Sequence, residues 1–196
     1  MNSSTSGSQA GERQERVDAR QVDRWLAALG LHLLEQVERD AITSWDLVLD
    51  GRRRMDIRVT LILEPSTGLF LWVHYAPALN DNFRKSYRQF LRWNDELPFV
   101  KFCLSPDDER PMLTSELSTE SLSEDRLGLA LARLVAVCDL LLEESAHWLW
   151  LGGKAPAREP SPPRNVGFLD RFAEGVRELA PVASEDRGAQ PTEERA

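Results

Sequence analysis

The sequence has few of the residues that build catalytic and metal sites. It contains only two cysteines and three histidines among 196 residues, and the histidines are far apart along the chain. It has no G-x-S-x-G nucleophile elbow, no H-E-x-x-H zinc motif and no glycine-rich phosphate loop that follows a strand. These absences argue against hydrolase, metalloprotease and nucleotide-binding classes. We therefore predict a non-enzymatic protein with no catalytic residues, no metal and no cofactor.

A basic excess and a membrane-spanning apolar run are also missing. The chain has 32 acidic against 24 basic residues, a net charge of −8, which makes nucleic acid an unlikely general partner. The most apolar stretch, residues 127–142, contains Arg133 and Asp139 and is shorter than the ~20 residues of a membrane span. The first residues, MNSSTSGSQAGERQER, have no apolar core of signal-peptide length. We therefore expect a cytoplasmic protein without membrane contact, in which Cys103 and Cys138 are reduced and buried.

Composition predicts one domain flanked by simpler segments. Residues 1–17 are polar and indicate a disordered tail. Residues 18–151 carry regular hydrophobic patterns and predict a single domain. A Pro-rich linker follows over 152–165. A short amphipathic helix is predicted over 166–180, and a second disordered tail over 181–196.

Within the domain, hydrophobic periodicity predicts the order helix, three strands, helix, two strands, helix. The first helix covers residues 19 to about 30, and residues 31–38 either continue it or form a connector. The predicted strands cover 45–49, 55–63, 69–75, 99–104 and 112–117, and the other two helices cover 83–97 and about 124–148. Runs of strands separated by a helix favour an α+β domain, with a twisted antiparallel sheet and helices packed on it.

The first hairpin allows a prediction of register. If Gly51–Arg53 is the loop, Leu49 lies opposite Met55 and Leu47 opposite Ile57, so the apolar side chains share a face. A two-residue Asp-Gly loop would instead place Leu47 opposite an arginine. We favour the longer loop, because a slip of one residue moves every side chain to the other face.

Three short signals mark element ends. Residues 80–82 supply N-cap candidates for the middle helix. Pro98 should end that helix and form a corner into the next strand, with Phe99 or Val100 returning to the core. Ser123 should cap the last helix of the domain, whose first turn carries two acidic residues.

The third strand is apolar on both faces, which indicates cover on both sides. The candidate partner-binding residues on it are Phe70, Trp72, Val73 and Tyr75. They are either buried within the monomer or a dimer, or they form a groove for an apolar segment of a protein client. Six tryptophans in the chain suit the second interpretation, because tryptophan often anchors partners.

Arginines form a second candidate surface. Arg84, Arg88 and Arg92 recur every four residues on the middle helix, and residues 52–54 are three further arginines in the first hairpin. Both groups are either a solvated surface or a patch for an acidic protein segment or nucleic acid.

Two stretches carry a family resemblance: YRQFLRWNDELPFVKFCL, residues 87–104, and LTSELSTESLSEDRLGLALARLVAVCDLLL, residues 113–142. They resemble the YbjN-like family, which shares the fold of type III secretion chaperones. The resemblance covers roughly residues 20–150. It implies a homodimeric, non-enzymatic binding module of chaperone-like or regulatory type.

Two expectations concern assembly. The apolar surface of residues 127–142 exceeds what a five-stranded sheet covers, which predicts a twofold homodimer. The C-terminal helix has an apolar stripe made by Phe168, Leu169, Phe172, Val176 and Leu179. We expect it to dock on its own domain or on the dimer mate, in the place that an unidentified protein client would take.

Overall fold

The computed structural model describes residues 17–77, 84–149 and 164–179. Val17, predicted as the end of a disordered tail, is buried in the core. The rest of the predicted tails, most of the predicted linker and the N-cap candidates at 80–82 lie outside these ranges. The helices are α1 (Ala19–Ala28), α2 (Arg84–Glu96), α3 (Glu124–Leu140), α4 (Leu142–Leu149), α5 (Val166–Arg171) and α6 (Ala173–Arg177). The strands are β1 (His32–Arg39), β2 (Ile42–Leu49), β3 (Ile57–Glu64), β4 (Gly68–His74), β5 (Lys101–Leu104) and β6 (Pro111–Leu117).

The strands form one six-stranded antiparallel sheet in the order β1-β2-β3-β4-β6-β5. The predicted α+β class and the antiparallel sheet are therefore confirmed. The sheet has one strand more than predicted, because residues 32–39 form β1. Neither interpretation of residues 31–38, helix or connector, was right.

The end of α1 explains where that prediction failed. Asp18 caps α1 by accepting a hydrogen bond from the backbone N–H of Gln21 at 2.8 Å. The helix stops before Gly30, whose φ of +67° suits glycine. The chain then pairs with β2, placing Leu33 opposite Leu47 and Val37 opposite Ser44. Apolar and polar residues alternate along a strand when one of its faces is buried. Both faces of β1 are exposed, so its sequence does not show this alternation.

The hairpin between β2 and β3 has a longer loop than predicted. Leu49 lies opposite Ile57 and Leu47 opposite Val59, a shift of two residues from the predicted pairs. A register shift of two residues leaves each side chain on the same face of the sheet, so the predicted apolar face is retained. The loop is residues 50–56, and the carboxylate of Asp139 on α3 accepts hydrogen bonds from its backbone.

One hydrophobic core lies on a single face of the sheet. Alternate residues of β2, β3 and β4 point into it, and Trp45, Leu61 and Leu71 are almost completely buried. Buried residues of α1, α2 and α3 join the same cluster. The indole N–H of Trp45 donates to Asp23 of α1 at 2.6 Å, which fixes α1 on this face.

The helix α3 is buried on two sides. One side faces the sheet, and the other is covered by the C-terminal segment, defined here as residues 164–179. The ring of Phe172 lies so close to Gly128 that a Cβ at that position would overlap it. Arg133 of α3 donates to the carbonyl of Gly175 at 3.3 Å and pairs with Glu178 at 2.5 Å.

The C-terminal segment therefore docks on its own domain, one of the two expected alternatives, but it does so on α3 and not over Phe70 and Trp72 of the third strand, where a client was expected. It forms two short helices that break at Phe172, and the predicted helix over 124–148 likewise breaks at Leu141. Much of the apolar excess predicted for residues 127–142 is covered within one chain. That excess therefore no longer argues for a dimer.

The corner after α2 lies at Pro98, as predicted. The structure also shows which of Phe99 and Val100 returns to the core. Val100 is buried, whereas Phe99 is exposed with a positive φ of +68°. The guanidinium carbon of Arg133 lies 3.6 Å from the centre of the Phe99 ring. Ser123 caps α3 as expected, accepting from the N–H of Arg126 at 3.3 Å.

The two cysteines occupy different environments. Cys138 is buried in the core, as predicted, and burial raises the pKa of its thiol to about 11. Cys103 is exposed, which corrects the prediction that both thiols are buried. It lies on the edge strand β5, opposite Met112, on the face of the sheet away from the core. Both cysteines are free.

Candidate interaction surfaces

The face of the sheet opposite the core, called here the outer face, carries a row of apolar side chains. Strand pairing aligns Val37, Ser44, Ile62 and Phe70 across β1 to β4. Ile62 and Phe70 are half-buried, and Val37 is 48% exposed. Each neighbouring strand adds about 4.8 Å, so the row spans roughly 14 Å. The outer face therefore offers a partly apolar strip over β1 to β4, which ends at Glu116 of β6, opposite Phe70.

Trp72 lies in the next row on the same face. Its cross-strand neighbours are Thr60 on β3 and Thr114 on β6. Thr60 donates from its hydroxyl to Asp46 at 2.6 Å, so the polar groups of this row pair with each other. Trp72 is half-buried and lies two residues from Phe70 along β4, on the same face. The predicted aromatic pair Phe70 and Trp72 is thus brought together on one surface.

The other two predicted residues, Val73 of β4 and Tyr75 just after it, face the core instead. Both are fully or almost fully buried. The Tyr75 hydroxyl lies 2.9 Å from the hydroxyl of Ser145, and burial raises the pKa of Tyr75 far above its usual range. Its ring makes edge contacts with Phe90 and Phe102. These two residues support the core and do not reach the surface that Phe70 and Trp72 share.

The edge strand β1 is a surface that the sequence did not reveal. All eight of its residues are exposed, including Leu33, Leu34 and Val37 at 40%, 47% and 48%. A long edge strand with apolar side chains is a template for pairing with another strand. A register shift between Leu33 and Glu35 disturbs its first half. The regular part that remains is Glu35–Arg39.

The opposite edge of the sheet, β5, is short and partly occupied. The side chain of Asn94 on α2 accepts from the N–H of Phe102 at 2.6 Å and donates to its carbonyl at 3.0 Å. The amide group thereby makes the two bonds that a neighbouring strand would make at Phe102. Within the described residues the two edges of the sheet are consequently unequal: β5 has four residues and is capped at Phe102, whereas β1 has eight residues, all exposed.

The predicted arginines lie on two elements. Arg88 and Arg92 are exposed on α2, and the side chain of Arg84 lies outside the described residues. Arg52 and Arg53 are exposed in the loop of the first hairpin. Residues 52–54 have a structural task as well, since their backbone N–H groups bind Asp139.

Within residues 17–77, 84–149 and 164–179, no group of three or more His, Cys, Asp and Glu side chains is placed to hold a metal ion. None of the helices in these ranges is long and apolar enough to cross a membrane. In the described part of the chain, the candidate interaction surfaces are the sheet edges at β1 and β5, the apolar row on the outer face and the exposed arginines.

A family model matches residues 18–146, about two thirds of the chain. The chain belongs to the YbjN family. That family is described as a "putative bacterial sensory transduction regulator". The match covers the sheet, α1 to α3 and part of α4, and it stops before the C-terminal segment. No curated protein matches the chain. Membership in the YbjN family is compatible with the regulatory type of module that the resemblance implied.

Proposed function

We propose that this YbjN protein is a non-catalytic regulatory module whose outer face binds an apolar segment of a partner protein. The observation that carries the proposal is the half-buried aromatic pair Phe70 and Trp72 beside Ile62. Aromatic side chains at a surface are the groups that most often supply binding energy. They lie on rigid central strands, so little conformational entropy is lost on binding.

An amphipathic helix is the partner segment that fits this surface best. The core side of the sheet is already packed against α1, α2 and α3, and an antiparallel sheet commonly leaves its other face to solvent, which gives a partner helix room on the outer face. The row from Val37 to Phe70 spans roughly 14 Å, or about three helical turns of 5.4 Å. A helix of that length with one apolar stripe would cover the row.

The test is a selection of displayed random peptides of about 16 residues against the full-length protein. We expect enriched peptides with apolar residues at helical spacing. Their affinity should fall at least tenfold, which corresponds to about 1.4 kcal/mol, in a Phe70→Thr/Trp72→Thr variant. Leu91→Ser is the matched control, because Leu91 is an apolar residue on α2 that is 70% exposed. Threonine keeps the strand preference of both sites.

Two results would refute the proposal. One is equal loss of binding in the Leu91→Ser control. The other is hydrogen exchange in which bound peptide protects amides elsewhere while β3 and β4 are unchanged. An Ile62→Thr variant, a smaller change on the same row, provides a second measurement if the double variant is unstable. The same variants, used as baits in a bacterial lysate, would then show which natural protein depends on this face.

We further propose that two copies associate through β1, as a specific form of the predicted homodimer. Antiparallel pairing of Glu35–Arg39 about a twofold axis at Val37 places Val37 opposite its own copy. In the same register Glu35 lies opposite Arg39 twice, so that charges of opposite sign meet on one face. This self-complementarity is what a twofold interface requires.

A charge swap tests that register. Glu35→Arg alone should convert the dimer to monomer in sedimentation or light scattering, because it places like charges opposite each other. Glu35→Arg combined with Arg39→Glu should restore the dimer. A wild-type protein that is monomeric at micromolar concentration, or a double variant that does not recover, would exclude the β1 dimer. Neither result bears on binding by Phe70 and Trp72.

A further inference from the structure

The corner between α2 and β5 contains one residue in a disfavoured backbone conformation. Phe99 has a φ of +68°, in the left-handed region that is unfavourable for any residue with a Cβ. Its side chain is 52% exposed, so burial of the ring does not impose this conformation. A backbone of this kind persists only where its neighbours fix it. The contacts around Phe99 therefore decide whether the corner keeps its shape.

Two contacts fix Phe99, one on its backbone and one on its ring. The carbonyl accepts a hydrogen bond from the hydroxyl of Ser115 on β6 at 3.1 Å. The ring lies against the guanidinium of Arg133 on α3, whose central carbon is 3.6 Å from the ring centre. This is a close cation–π contact. The position of the ring thus depends on what holds the guanidinium of Arg133.

The C-terminal segment holds that guanidinium. Nε of Arg133 donates to the carbonyl of Gly175 at 3.3 Å, and Nη2 pairs with the carboxylate of Glu178 at 2.5 Å. These donors lie in the plane of the guanidinium, whereas the ring of Phe99 meets its flat face. Arg133 can therefore bind both partners at once, and its side chain is only 12% exposed.

The contact between Arg133 and the segment depends on a close approach of two helices. A Cβ at Gly175 would lie 2.5 Å from Cδ1 of Leu129 on α3, so the absence of a side chain lets α6 come within reach of Arg133. The helices α5 and α6 have only six and five residues, and helices this short are not stable without a surface to pack on. The carboxylate of Glu178 is 60% exposed, and an ion pair with so exposed a partner is weak.

We infer that Arg133 couples the docking of the C-terminal segment to the conformation of the Phe99 corner. When α6 leaves α3, Arg133 loses both in-plane partners and no longer keeps its guanidinium over the ring. Phe99 then relaxes to a negative φ, and the corner and the start of β5 loosen. Coupling of this kind is reciprocal, so a partner that binds the relaxed corner also releases the segment. The outer face takes no part, which makes this regulation independent of binding by Phe70 and Trp72.

Hydrogen exchange of the full-length protein tests the coupling. Gly175→Val should push α6 away from Leu129, so the amides of residues 173–177 should exchange faster. We expect the amides of residues 99–102 to exchange at least tenfold faster as well, which corresponds to about 1.4 kcal/mol. Gly167→Val is the matched control, because a Cβ at Gly167 of α5 meets no atom within 4 Å. This control should change neither region.

A double-mutant cycle tests the part of Arg133. Arg133→Met keeps a long apolar side chain but removes every donor, and by itself it should speed exchange in residues 99–102. In that background Gly175→Val should have no further effect there. The reverse direction is tested by Phe99→Gly, which relieves the backbone but removes the ring below Arg133. Residues 173–177 should then exchange faster, although the change lies in another element.

Any of four results would overturn the inference. One is a Gly175→Val protein with a loosened α6 and unchanged exchange in residues 99–102. The second is an equal effect of Gly175→Val on those residues when Arg133 is already replaced. The third is wild-type protection of residues 173–177 in Phe99→Gly. The last is a loss of protection in β3 as large as that at the corner, because the variants would then lower the stability of the whole domain.

Discussion

Replacing Asp139 by asparagine should destabilise the protein although the two side chains have nearly the same shape. The carboxylate accepts three backbone hydrogen bonds from residues 52–54. An asparagine can keep its carbonyl oxygen near two of these N–H groups, but its NH₂ then faces the third. One charge-assisted bond is lost and two become neutral.

The expected size follows from these bonds. A hydrogen bond to a charged group contributes about 1.5–3 kcal/mol, and a neutral one about 0.5–1.5 kcal/mol. The loop can recover part of the loss by binding water, because Arg52 and Arg53 are exposed. We therefore expect Asp139→Asn to lower the free energy of unfolding by about 2 kcal/mol. For a chain of this size that corresponds to a fall in Tm of about 4–8 °C.

Thermal melting followed by circular dichroism measures this change, and hydrogen exchange shows where it acts. The amides of residues 52–54 should lose protection first. Asp170→Asn is the control, since Asp170 is an exposed carboxylate near the same loop, and it should shift Tm by no more than about 1–2 °C. An Asp139→Asn protein that melts within 1 °C (roughly the precision of such a melt) of the wild type would refute the reasoning, as would unchanged protection of the loop.

Three further predictions concern other sites. Asn94→Ala should reduce stability by about 2 kcal/mol in urea denaturation, because two hydrogen bonds to the backbone of Phe102 are lost, and should increase light scattering on heating as the β5 edge opens. Ser123→Ala should cost about 1 kcal/mol in the same measurement through loss of the α3 cap, while Ser121→Ala nearby should cost much less. Cys103 should react with a thiol reagent in the folded protein, and Cys138 only after unfolding. Because burial raises the pKa of Cys138 from 9.0 to about 11, the unfolded chain loses this proton at a lower pH than the folded chain. The free energy of unfolding should therefore fall between pH 9 and 11, and it should fall less in Cys138→Ala.

Local patterns predicted much of the central fold. Period-two alternation identified β3, and the rule that a slip of one residue reverses the faces selected the correct face for Leu47 and Leu49. Turn and cap signals at Pro98 and Ser123 placed the ends of α2 and α3. In each of these cases the information lies within about ten residues of sequence, so a single chain reveals it.

Other features depend on contacts between residues far apart in the chain. Asp139 holds a loop more than 80 residues away, and Asn165 exchanges hydrogen bonds with the backbone of Asp50 at 2.7 and 2.9 Å. Nothing in either local sequence signals such a contact. β1 went unrecognised because an exposed edge strand lacks the alternation that burial imposes. Both faces of β4 carry apolar residues, and the sequence did not show which face the core covers. Val73 and Tyr75 were therefore grouped with Phe70 and Trp72.

The unequal edges of the sheet limit how large an assembly can become. If two copies join through β1, each contributes six strands, and both ends of the joined sheet are β5 strands. Each of these ends already holds the side chain of its own Asn94. A third copy would meet an edge of four residues whose Phe102 is already bonded, which disfavours continuation into a filament. One asparagine amide on α2 would thus help to limit the particle to two copies, from the edge opposite to its interface.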